Sequence, residues 1–145
     1  NFGGVTHLND VVVAEPVFHD GARVAWVASI AHWGDIGGRT PGSMAVDVAD
    51  ICAEGLRLPP VKLFKAGEID TEIWQIICSN IRVSEQRIGD VKAQAGALLV
   101  GAERLAALMD RYGDGVVRDA IAEMRGLAAR QMRAMIGLKA PSAIT

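Results

Sequence analysis

The dipeptide Asp20-Gly21, set between the apolar runs Val11–Phe18 and Arg23–Ala31, constrains this chain more than any other feature. Two-residue hairpin turns need positive φ at their central positions, which glycine adopts freely and aspartate tolerates. Such a turn pairs His19 with Ala22 and fixes every pairing outward from it. In an unbroken register His32 falls opposite Asn9, with His7 and Val11 as its diagonal neighbours on the same face. Diagonal cross-strand Cβ atoms lie about 7 Å apart, near enough for two imidazoles to converge on one ion.

Asp10 is three residues from His7, so a regular strand would turn it to the opposite face. A bend or bulge is therefore expected over Thr6–Asp10; bulges are common beside active sites. His7, Asp10 and His32 then make a candidate metal site, with Asp35 as a fourth or outlying group. Two imidazoles and a carboxylate suit Mn, Fe or Zn and leave positions for water or substrate. Spacing alone fits a plainer reading equally well, in which these polar residues end two strands and His32 is a hydrogen-bonded core histidine. Both faces of Arg23–His32 are mostly apolar, so a strand buried on both sides is expected. Pro16 cannot donate to a ladder and places Val11–Phe18 at an edge or strand end.

Gly34–Ser43 holds four glycines and a proline in ten residues, which makes it a backbone-shaped loop. Glycines let a main chain approach a ligand closely. Asp35, Arg39, Thr40 and Ser43 are its polar side chains, and an active-site loop beside the metal is the preferred reading. No Gly-Lys-Ser/Thr follows, so it is no phosphate-binding P-loop. Ala45–Leu56 reads as a short helix or ordered loop closing at Gly55, with Glu54 as a candidate substrate contact. Pro59-Pro60 leads into a short strand over Val61–Lys65.

From Ile69 the period becomes helical. Asp70 is a good cap for Thr71–Ile81, and Ser84 for a long helix reaching Tyr112. Arg87, Asp90 and Gln94 share one face of that helix, either as a solvated stripe or turned to the site. Tyr112-Gly113-Asp114-Gly115 stops it, and Val116–Leu138 is a second long helix. Two such helices predict an antiparallel pair. The fold class is α+β: an N-terminal β-hairpin and Gly-rich loop, then a predominantly helical half with a long helical hairpin. Residues 1–65 form the strand and loop part and 66–140 the helical part of one unit.

The formal charge of −2 and pI near 5.9 give no electrostatic case for nucleic acid. No apolar run approaches the roughly 20 residues of a membrane span. Cys52 and Cys78 lack any metal-ligand spacing and read as buried small hydrophobes in a reducing cytosol. No Ser-His-Asp set or Cys with an adjacent base can be assembled, so covalent nucleophilic catalysis is not favoured. Hydrophobic residues make up 50% of the chain and mean hydropathy is +0.23, an excess that fits a piece of a larger protein.

Several runs, taken together, resemble the hydantoinase B/oxoprolinase family: Gly3-Gly4-Val5-Thr6-His7-Leu8-Asn9-Asp10-Val11, Ala31-His32-Trp33-Gly34-Asp35-Ile36-Gly37-Gly38, Thr40-Pro41-Gly42-Ser43-Met44, Glu54 to Leu63 and Arg87 to Gln94. They come in the family order and cover residues 3–112. The resemblance implies that His7, Asp10 and His32 are metal ligands, because the family's His-x-x-Asp and Ala-His motifs fall on them. It also raises the expectation that Arg87, Asp90 and Gln94 meet the active site or the subunit interior. Family members usually carry Asn-Asp-Pro just upstream and are several times longer. This chain opens at Asn1-Phe2-Gly3-Gly4, so it is expected to be a fragment of a larger, cytoplasmic subunit, active only in the full-length complex.

As the resemblance implies, the full protein would use ATP and Mg, bound largely on a hydantoinase A-like partner subunit or region, to phosphorylate an amide or enolate oxygen. Hydrolysis of cyclic amides (hydantoin, oxoproline or lactam) leads, and carboxylation of ketones of the acetone or acetophenone type follows. A reading of another class remains beside it: a non-catalytic helical interaction module. The expected assembly is a hetero-oligomer acting on a small molecule. Catalytic expectations fall on Asp35 and Arg39; Glu54, Asp90 and Gln94 are expected to contact substrate or support the residues that do.

Overall fold

A computed structural model describes residues 7–139, with the backbone alone at 138 and 139. The family-like run Gly3–Thr6 lies outside the described residues. The order is β1 (Asp10–His19), β2 (Ala22–His32), 3-10 turns at Pro41–Ser43 and Ile51–Ala53, β3 (Phe64–Lys65), β4 (Glu68–Ile69), α1 (Thr71–Asn80), α2 (Ser84–Tyr112) and α3 (Asp114–Lys139).

The hairpin turn forms where Asp-Gly requires it. Asp20 and Gly21 have φ of 48° and 75°, and His19 pairs with Ala22. The register then departs from the unbroken one. Phe18 pairs with Arg23, but Val17 pairs with Ala25, so Val24 is an extra residue on β2. This bulge shifts every pairing beyond it by one position. Asp10, not Asn9, therefore lies opposite His32. The bend expected at the start of β1 is present as the turn over residues 7–9.

Only one face of the hairpin is covered, which corrects the expectation of a doubly buried strand. Val11, Val13, Ser29 and Ala31 are half-buried on the side that meets α2. Val12, Trp26 and Ile30 on the other side are 52%, 58% and 60% exposed. The apolar alternation was real, but no described element lies over the second face.

Gln94, in the middle of α2, locks the hairpin onto that helix. It is 4% exposed, its Nε2 donates to the carbonyls of Val11 (3.0 Å) and Ser29 (3.2 Å), and its Oε1 accepts from Trp33 Nε1 at 3.3 Å. Gln94→Ala leaves these buried partners unsatisfied, at a typical cost of about 1–3 kcal/mol for each orphaned group. Urea unfolding of the variant is expected to show a stability loss of at least about 2 kcal/mol. A loss near zero would mean that water replaces the amide.

The core sits beside this strut, where Trp33, Ile36, Ile77, Ile81 and Val91 are buried together. The short strand expected over Val61–Lys65 contracts to β3 and pairs with β4 across Ala66-Gly67, both at positive φ. Asp70 caps α1 as its spacing predicts, accepting from the N–H groups of Glu72 (3.1 Å) and Ile73 (3.0 Å).

Ser84, in contrast, is not the cap of α2. Ser84 is already helical, and the cap position belongs to Val83 in the left-handed region at φ 53°. A β-branched residue is strained there, so tertiary contacts hold the turn, and the neighbouring Arg82 supplies them. Cys52 is exposed rather than buried, and Cys78 is partly buried.

The long helices meet around their one-residue link, Gly113. Val117 is buried, but Met124, Leu127, Met132 and Ile136 are 47–62% exposed. Antiparallel packing along the full length of α3 is therefore not formed among the described residues. No described helix is long and apolar enough to cross a membrane.

Candidate functional site

The bulge at Val24 builds the site. By moving the register one place it sets Asp10 directly across from His32 at the open end of the hairpin, where cross-strand Cβ atoms lie about 5 Å apart. The turn over residues 7–9 folds His7 back over the pair. His7 Nε2 is 3.7 Å from Asp10 Oδ1, and the His7 and His32 rings lie 4.9 Å apart, tilted by 52°. The three residues singled out from the sequence thus converge. In the rotamers observed, no set of three or more His, Cys, Asp or Glu among the described residues is arranged to hold a metal ion.

Asn9 secures the end of the hairpin. It is 1% exposed, its Nδ2 donates to Trp33 O (2.8 Å) and Gly42 O (3.2 Å), and its carbonyl accepts from Trp33 N. This ties the strand ends to the Gly-rich loop.

Asp35 organises that loop. Its carboxylate accepts from the N–H groups of Gly37 (2.7 Å), Gly42 (2.8 Å) and Arg82 (3.2 Å), and from Arg82 Nη1 at 3.0 Å. Burial pushes the carboxyl pKa up, but the backbone donors of Gly37, Arg82 and Gly42 and the guanidinium of Arg82 together hold it below its ordinary value of 3.8. Arg82 also donates to the carbonyls of Thr40 (3.2 Å) and Gly38 (2.8 Å), clamping the loop to the α1–α2 turn. Ser43 Oγ accepts from Ile36 N and Gly38 N. Asp35, buried and held by four donors, sits as a loop anchor rather than at the solvent face of the cluster.

An open cleft of about 200 Å³ lies beside the cluster, lined by His7, Arg39, Thr40, Glu54 and the apolar side chains of Met44, Val46 and Val48. Arg39 is exposed and paired with Asp47. The structure thus gathers His7, Arg39 and Glu54 at one cleft. Asp90 pairs instead with Arg87 at 2.7 Å, and Gln94 is the buried strut described above. The sequence reading missed Asn9 and Arg82. Asn9 sits inside the His7–Asp10 run and could have been found there, whereas Arg82 is 47 residues from Asp35 and carries no local signal.

The arrangement defines an α+β unit whose imidazoles and carboxylates meet at the open end of a hairpin, beside a loop shaped by its backbone. The family model for hydantoinase B/oxoprolinase matches residues 1–143, and the chain belongs to that family. It is 40% identical to the caprolactamase beta subunit of Pseudomonas jessenii over 131 residues, which is 90% of this chain and 22% of that protein. The crystal structure of that ATP-dependent caprolactamase superposes with a TM-score of 0.81 over 90% of this chain. One subunit of a putative D-/L-hydantoinase from a Pseudomonas species is 34% identical over 91% of this chain and 22% of its own. The acetophenone carboxylase delta subunit of Aromatoleum aromaticum is 27% identical over 93% of this chain and 20% of its own. The chain therefore spans about a fifth of the length of these relatives.

Proposed function

We propose that this chain forms the metal-holding part of a subunit of an ATP-dependent cyclic-amide hydrolase, working with a hydantoinase A-like partner that binds ATP and Mg. The observation that carries this reading is the convergence of His7, Asp10 and His32 at a solvent-reachable strand end, in a chain of the hydantoinase B/oxoprolinase family. Two imidazoles and a carboxylate are the donor set of Mn, Fe and Zn centres. To hold an ion the three side chains would turn toward one another; His7 and Asp10 are partly exposed and His32 is exposed. Bound there, such an ion supplies a Lewis acid that polarises a carbonyl oxygen.

The remaining roles follow from position. Asn9 and Gln94 hold the strand ends that carry the donors. The Asp35–Arg82 clamp presents Arg39 and Thr40 to the cleft, so that Arg39 can meet charge developing on a substrate oxygen, while Met44, Val46 and Val48 give the cleft an apolar lining for the substrate's hydrocarbon part. Glu54 lies across the same cleft, placed to accept a proton or an N–H. Asp90 acts at a distance by pairing with Arg87, whose guanidinium lies beside Gly34.

A second reading, ATP-dependent ketone carboxylation, is favoured by the likeness to the acetophenone carboxylase delta subunit. The test uses the full-length protein with its partner: metal content per chain, and ATP turnover with hydantoins, lactams and ketones. Stoichiometric divalent metal and ATP hydrolysis coupled to lactam or hydantoin opening are the expected results. Bicarbonate-dependent turnover of ketones alone would select the second reading, and a metal-free, inactive complex would leave a helical interaction module.

A further inference from the structure

His19 lies at the opposite end of the hairpin from the metal-ligand candidates, and its ring sits at the break between the long helices. Nε2 is 2.9 Å from Asp110 Oδ1, in the last turn of α2, and Nδ1 is 2.8 Å from Asp114 Oδ1, the first residue of α3. Asp20 Oδ2 in the hairpin turn is 3.9 Å from Nδ1, and the His19 side chain is only 13% exposed. Of the nearby cations, Arg118 shares Asp114 with the ring, its Nη2 3.7 Å from the other carboxylate oxygen, while Arg23 stacks over Trp26 and Arg111 over Tyr112.

A neutral imidazole carries one N–H and one lone pair. With a carboxylate oxygen within 3 Å of each nitrogen, the neutral ring would set its lone pair against one of them. Only the imidazolium sets positive charge against both: Nε2 hydrogen-bonds Asp110, and Nδ1 meets Asp114 as an ion pair without the alignment of a hydrogen bond. This matters for α3, because Gly113 is a single-residue link at φ 85° and, among the described side chains, Val117 is the last buried apolar one of that helix. His19 adds a polar tie between the hairpin tip and the first residue of α3.

We propose that protonated His19 pins the α2–α3 break to the hairpin tip, and that loss of its proton frees α3 to change direction. The Asp110 hydrogen bond raises the His19 pKa above 6.5; burial opposes it, and the charges of Asp114, Asp20 and Asp110 add to it. A raised value means that the pin is fully engaged below pH 6.5 and fades as pH climbs through the raised value.

The test places spin labels at Phe18→Cys and Arg125→Cys in the full-length protein with its partner, with Cys52→Ser, Cys78→Ser and any other reactive cysteine replaced, and compares distance distributions at about pH 5.5 and about pH 8.5, on either side of the histidine range. A narrow distribution at the lower pH that broadens at the higher one is expected, with His19→Gln broad at both. Imidazole nitrogen shifts are expected to show a doubly protonated ring at the lower pH, and a pKa that falls in Asp110→Asn and Asp114→Asn, with circular dichroism confirming that each variant is folded. The proposal is overturned by a distribution that ignores pH, by a His19→Gln distribution as narrow as that of the wild type, or by a His19 pKa unmoved in both asparagine variants.

Discussion

Replacing His32 with alanine is expected to lower the affinity of the full-length protein for its divalent ion by more than about 100-fold, since even outer partners of metal ligands contribute 10–100-fold. ATP-coupled turnover is expected to vanish with it. In the proposed donor set of two imidazoles and one carboxylate, losing one imidazole leaves two ligands, below what a divalent transition metal ordinarily needs from protein. His7→Ala is expected to behave alike, and Asp10→Asn to retain weak binding through its remaining oxygen. His32 is exposed and Asp10 partly buried, so unfolding midpoints should stay within the small range typical of surface substitutions. Calorimetric metal titration with elemental analysis of each variant decides the matter. Wild-type metal content and affinity in all three variants would remove these residues from any metal site.

Gly37→Ala is expected to destabilise the chain by about 2–6 kcal/mol, combining the roughly 1–3 kcal/mol of forcing a left-handed backbone with the roughly 1–3 kcal/mol of overpacking. Gly37 has φ +81°, and a Cβ there would stand 1.8 Å from the carbonyl oxygen of Asn80, which is backbone at the end of α1. The loop must move off the α1–α2 turn, which breaks the Asp35–Arg82 clamp and displaces Arg39 and Thr40 from the cleft. For a chain of this size the midpoint of thermal unfolding should fall by about 10–15 °C. Gly96→Ala serves as the control: in mid-helix with nothing within 4 Å of its Cβ, it is expected to gain up to about 1 kcal/mol. Equal midpoints for the two variants would show that the loop is not packed as described. Chemically identical substitutions thus carry opposite signs, and only position in the fold separates them.

The same division runs through the site. The Asp20-Gly21 turn, the Asp70 cap and the break at Gly113 were legible because each is decided within a few residues, by φ preferences and side-chain reach. The choice of His7, Asp10 and His32 was legible through the family motifs, and the structure brings these residues together. Their mutual placement was not. It depends on one unpaired residue, Val24, whose bulge leaves no mark in an apolar strand. Nor was it legible that Asp35 serves Arg82, or that Val83 rather than Ser84 caps α2, because both follow from a contact spanning 47 residues.

The amino-acid order by itself determined the hairpin, the helical periods and the family, and it singled out His7, Asp10 and His32. Tertiary packing alone decided the register that faces Asp10 with His32, which hairpin face is covered, and how far α3 stands clear of α2. Turn and helix preferences act over a few residues, whereas register, coverage and loop placement depend on groups that meet only when distant segments have come together.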